Sequence, residues 1–130
     1  MKLLVDNNLP PKLARGLAEL FAGDHEIVHI RDKYGTGGLK DHDWIVRLGK
    51  EGGWCVLSGD RQIAKKRPSR ELFLRNRLIG FFPQASVMRL PFERQASRIL
   101  YVWPKMISQS ETVSSGCFGI GMKGDRLDQV

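Results

Sequence analysis

Four short, largely apolar runs, Leu3–Val5, Glu26–Ile30, Trp54–Leu57 and Ile79–Phe82, punctuate the first two-thirds of the chain, with helical spacing between them. The first reads as a strand buried on both faces, as in a parallel sheet. Strands that alternate with helices need crossover connections, so the pattern is that of an α/β protein. Between the first two runs, Pro10-Pro11 sits at a helix start, where a missing N–H costs nothing. Leu9, Leu13, Leu17 and Leu20 then recur at helical spacing until Gly23. Arg31 to Lys40, with Gly35, Gly37 and Gly38, reads as a loop. Asp41 is placed to cap a helix from His42 to about Lys50 that turns Trp44, Ile45 and Leu48 inward. Beyond Gly52-Gly53 and the third run, Asp60 opens a short basic turn that Pro68 must break. Ser69 is placed to cap a further helix through Arg75.

The C-terminal third has a different rhythm. Pro91 starts a long helix with Phe92, Ala96, Ile99, Leu100 and Trp103 along one side, and Pro104 is expected to kink or end it. Val113 to Met122 is strand-like, Lys123-Gly124-Asp125 can turn, and Arg126 to Val130 can return as a hairpin. A chain of 130 residues is sized for one domain with one core. No apolar stretch approaches the ~20 residues of a membrane-spanning helix. Asp6, Asn7 and Asn8 interrupt the N-terminus too early for a secretory signal, so a cytoplasmic location is expected. Cys55 and Cys117 have neither zinc nor redox spacing, and no disulfide is expected.

Charge narrows the partners. Lys and Arg outnumber Asp and Glu by 21 to 14, a net +7, and Arg61, Lys65, Lys66, Arg67, Arg70, Arg75 and Arg77 are opposed locally only by Glu71. Such a balance attracts polyanions, nucleic acid foremost. That strip begins one residue after Asp60, which lies just past a buried strand, as Asp6 does. In an open parallel sheet the carboxyl ends of the strands are where ligands bind. Two carboxylates converging there repel unless a cation lies between them. With Asp43 from a helix start, the chain has three acids for a Mg²⁺ or Mn²⁺ site, enough for an ion that keeps several waters. Such an ion lowers the pKa of an attacking water and neutralises phosphate charge, so hydrolysis needs no protein nucleophile. Taken singly, each acid has an ordinary role: an Asx-turn at Asp6, first-turn acids at Asp41 and Asp43, a cap at Asp60. His25, His29 and His42 read as surface or packed residues. Trp54, Trp103, Phe81 and Phe82 read as core, and Trp44 neighbours the acids.

Leu4-Val5-Asp6-Asn7-Asn8-Leu9-Pro10-Pro11, Val28-His29-Ile30-Arg31-Asp32, Asp43-Trp44-Ile45 and Val56-Leu57-Ser58-Gly59-Asp60-Arg61 together resemble the PIN-like domains, relatives of PIN nucleases and toxin nucleases. The resemblance spans roughly residues 2–83. It implies a three-layer α/β fold with a mostly parallel central sheet over residues 1–83; the long helix and hairpin expected over 84–130 extend that core and are not explained by the resemblance. It also implies metal-dependent cleavage of RNA, with Asp6, Asp43 and Asp60 as ligands and catalytic groups and Asp41 as the alternative middle acid. Asn8 and Ser58 would support the site, while Arg61, Lys65, Lys66 and Arg67 would hold the phosphate backbone. An antitoxin protein and a homodimer are the protein partners it brings into view. Two positions depart from the family pattern: Asn7, where many relatives have a second acid, and Gln62, where many have a fourth. They keep open a scaffold that binds nucleic acid or a partner without cutting. A receiver-like phosphoacceptor is the third reading, and it lacks the adjacent acidic pair expected after the first strand.

Overall fold

A computed structural model describes residues 1–130. Its elements are β1 (Lys2–Val5), α1 (Pro11–Leu20), β2 (Glu26–His29), α2 (Ile30–Tyr34), α3 (Asp41–Glu51), β3 (Trp54–Leu57), α4 (Gln62–Lys65), α5 (Arg67–Arg75), β4 (Ile79–Pro83), α6 (Ala85–Met88), α7 (Phe92–Thr112), β5 (Gly116–Ile120) and β6 (Leu127–Gln129). The six strands form one sheet in the order β2-β1-β3-β4-β5-β6, with every pair parallel except the last. The β5–β6 hairpin is the one expected from the tail.

Side chains alternate across the strands, so the sheet has two apolar faces and two separate cores. Leu3, Val5, Cys55, Leu57, Ile79, Phe81, Phe118 and Ile120 face one way, under α1 and α7. Leu4, Trp54, Val56, Phe82 and Cys117 face the other, under α2 to α5 through Ile30, Trp44, Ile45, Leu48, Ile63 and Phe73. This is the expected three-layer sandwich. The connection through α7 is unusual. It runs from β4 outward to β5 on the α1 side, whereas α5 makes the preceding outward step on the opposite side. The two crossovers are therefore of opposite hand, and one of them breaks the strong preference for a single hand. The physical reason is coverage. With α1 over β1 and β2, only α7 remains to bury Ile79 and Phe81 through Ile99, Val102, Trp103 and Met106.

Several local expectations need correction. Ile30 to Tyr34, read as the end of a strand and a loop, is a helical turn capped when His29 Nδ1 accepts the Arg31 N–H. Asp41 does not cap α3: Lys40 holds the cap position without a side-chain bond, and Asp41 lies in the first turn. Ser69 does not cap α5 either, because Pro68 starts that helix and the Ser69 hydroxyl binds the carbonyls of Gln62, Ile63 and Lys66. Pro104 does not end α7, which runs through it as one 21-residue helix with Val102, Trp103 and Met106 buried around it. Leu20, assigned to the buried side of α1, is 67% exposed, because the last turn overhangs the sheet. Leu100 is likewise exposed.

Candidate active site at the carboxyl edge

The register brings the two outer acids together. Val5 pairs with Leu57, and the ladder runs one residue further through the Asp6 N–H to the Leu57 carbonyl, 2.9 Å. Asp6 therefore lies beside Ser58, with Asp60 two residues on. From β1 the chain leaves on the α1 face toward β2, then returns over the other face through α3 to β3. β1 and β3 thus flank a topological switch point, where strand ends open into a crevice.

Ser58 joins the acids. Its buried hydroxyl donates to Asp6 Oδ2 at 2.8 Å and accepts the Asp60 N–H at 3.0 Å. Asp6 Oδ1 accepts the Asn7 N–H at 2.7 Å, and Asp60 Oδ1 accepts the Gln62 N–H at 3.1 Å. Asn8 Oδ1 accepts the Gly59 N–H at 2.7 Å, tying the loop after β1 to the loop after β3. Met88 closes over this turn so tightly that a Cβ on Gly59 would meet its sulfur and methyl.

Asp6 is only 6% exposed, and burial pushes its carboxyl pKa up. The Asn7 N–H and the Ser58 hydroxyl oppose that rise, while the negative charges of Asp41 and Asp60 add to it. Asp41 and Asp60 therefore act on the electrostatics of Asp6. Asp41 Oδ1 accepts the indole N–H of buried Trp44 at 2.9 Å, which settles Trp44 as a core residue that aims a carboxylate. Asp43 is 55% exposed, 3.7 Å from His42 Nδ1, and borders a different depression with Lys40 and Arg47.

A buried acid with a raised pKa is a cost to the fold once ionised. The penalty builds as pH rises from the ordinary value of 3.8 through the raised one, and stays constant above it. Asp6→Asn should therefore stabilise the metal-free protein at neutral pH by about 1 kcal/mol, as functional acids often cost stability. The gain should vanish toward pH 3 as Asp6 protonates. Thermal melts in EDTA across pH test this, and equal melting temperatures at pH 7 would contradict it.

The basic strip is partly used within the fold. Arg61 Nη1 donates to the Phe82 carbonyl at 3.3 Å, and Arg67 Nε pairs with Glu71 at 2.8 Å. Lys65 and Lys66 are exposed. His29 is fully buried, with Nε2 donating to the Leu9 carbonyl at 2.7 Å and Nδ1 accepting from Arg31, so it has no nitrogen left for a ligand. Cys55 is buried with its thiol pushed up to about 11, and Cys117 is buried and free, as the absence of disulfide spacing suggested. Sequence reasoning missed Arg31. Its Nε donates to Asn7 Oδ1 at 2.9 Å, so a cation stands beside the position where an acid is common.

The donors suit a hard divalent ion in kind, since all three acids are carboxylates with oxygen lone pairs left after these hydrogen bonds. Spacing is the limit: no three His, Cys, Asp or Glu side chains lie close enough to grip an ion directly. Magnesium keeps several waters and takes one or two carboxylates, so the residues fit an ion held largely through water. No helix is long and apolar enough to cross a membrane.

A three-layer α/β sandwich with acids gathered at its switch point defines a class of protein. Residues 1–85 match the family described as the PIN like domain, and the chain belongs to that family. No curated protein and no solved structure matched it.

Proposed function

We propose that this PIN-like domain is a metal-dependent endoribonuclease working in the cytoplasm, with Asp6, Asp41 and Asp60 as the acids that hold Mg²⁺ or Mn²⁺. The observation that carries the reading is the buried Asp6, linked through Ser58 to the Asp60 backbone and pressed by the charges of Asp41 and Asp60. Bound there, the ion would acidify water and neutralise charge on the scissile phosphate. The chain's own groups do the rest. Ser58 fixes the Asp6 carboxylate, Trp44 aims Asp41, and Asn8 holds the two loops in register. Lys65 and Lys66 supply exposed positive charge beyond Asp60 for a phosphate backbone. The toxin half of a toxin–antitoxin pair is the role this activity suits, with an antitoxin protein as partner and self-association into a homodimer.

Labelled single-stranded RNA should be cut in Mn²⁺ and left intact in EDTA. Asp60→Asn should slow cutting by about 100-fold or more, because a metal supplies several kcal/mol and each 1.4 kcal/mol is a factor of ten. A second reading rests on the same geometry: acids too far apart for direct coordination, with Asn7 turned to Arg31, suit a domain that binds nucleic acid or a partner without cutting. Binding retained by both proteins, with cleavage by neither, would select it.

A further inference from the structure

Beside the acids, on the β2 side, lies a polar depression of about 260 Å³ lined by Asn7, Arg31, Gly35, Thr36 and Gly38, with no apolar side chain among them. An all-polar hollow that holds a cation suits a polar, negatively charged ligand. Three features say what. Arg31 spends only Nε, on Asn7 Oδ1 at 2.9 Å, so both terminal nitrogens of its guanidinium fork have no protein partner. Its base is rigid, because its N–H is held by the fully buried His29. Gly35 and Gly38 have φ of 87° and 74°, and a Cβ on either would meet nothing within 4 Å. The loop is thus glycine-built for its backbone path, and it leaves open space where side chains would stand. Gly38 also borders a neighbouring depression that holds two more exposed cations, Lys40 and Arg47, along with Asp43.

We propose that this depression is a phosphate subsite: it takes a backbone phosphate of a single nucleic-acid strand next to the one presented to Asp6, with the Arg31 fork as its cation. Asn7 is central to the assignment. An acid at that position would neutralise Arg31, whereas the neutral amide orients the guanidinium and leaves its charge for the ligand. The strand then runs over the loop of residues 35–40 toward Arg47, on the opposite side of the crevice from Lys65 and Lys66.

The inference rests on the nucleic-acid reading above but not on cleavage, so it is tested by binding alone. Fluorescence anisotropy of a labelled single-stranded RNA, measured in EDTA across a salt series, reports affinity and the number of phosphates neutralised. Arg31→Gln should weaken binding about tenfold, the scale of one charge-assisted contact. It should also lower the slope of log affinity against log salt by roughly 0.7, the value for one phosphate on a single strand. Lys105→Gln removes the same charge from an exposed position in the second half of α7 and should change neither quantity. An unchanged slope in Arg31→Gln, an equal loss in Lys105→Gln, or no RNA binding by the parent protein would each overturn the subsite. Binding that depends on Arg31 without any Mn²⁺-dependent cutting would uphold it while removing the nuclease reading.

Discussion

Asp41→Asn should reduce Mn²⁺-dependent RNA cleavage about 100-fold, the scale for losing a group that holds a catalytic ion, while Asp43→Asn should stay within about threefold of the parent. The two residues are neighbours on one helical turn, so the pair isolates direction from composition. Successive helical positions are rotated by about 100°, and residues two apart point to different sides. The charge of Asp41 acts on Asp6, and its Oδ1 accepts the Trp44 indole N–H. Asp43 points to the Lys40–Arg47 side. Both substitutions are isosteric at exposed positions, so neither should unfold the protein. Initial rates at saturating Mn²⁺ are the measurement. A severe loss in Asp43→Asn with a mild one in Asp41→Asn would return the middle acid to Asp43 and undo the geometric assignment.

A chain ended at residue 85, where the family match stops, should not fold. The cut removes α7, β5 and β6, and with them Ile99, Val102, Trp103, Met106, Phe118 and Ile120 from one of the two cores. Deleting a single large buried side chain costs about 2–5 kcal/mol, so six together exceed the ~5–15 kcal/mol that holds an ordinary domain together. Ile79 and Phe81 would face water, and β4 would become a bare edge. Circular dichroism and amide-proton dispersion of the truncated chain should show little cooperative structure. A sharp thermal transition near that of the full chain would show that α1 alone suffices to cover this face.

The order of strands and helices was largely legible, because each buried strand is a compact apolar run and each of the longer helices α1, α3, α5 and α7 has glycine or proline at an end. What sequence could not show was direction. Asp41 and Asp43 both look like first-turn acids, and only the packing shows that Asp41 accepts the Trp44 indole N–H while Asp43 stands beside Lys40 and Arg47. Arg31 was hidden for a related reason: Ile30 completes an apolar run, which disguised the helical turn that lifts the arginine beside Asn7. Of the two outcomes expected at Pro104, an end to the helix is excluded, because the helical path continues through it and buries Met106 beyond it. Asp6 and Asp60 were readable because strand ends are conspicuous in sequence and a parallel register brings them together.

The reversed crossover through α7 also bears on how the protein comes into being. The carboxyl edge with Asp6, Asp41 and Asp60 is built from elements that precede, in chain order, the layer that clamps β3 and β4 from the α1 side. In chain order the carboxyl edge therefore precedes half of its covering layer, and the alignment of Asp6 with Ser58 is backed on the α1 side only once α7 and β5 have packed.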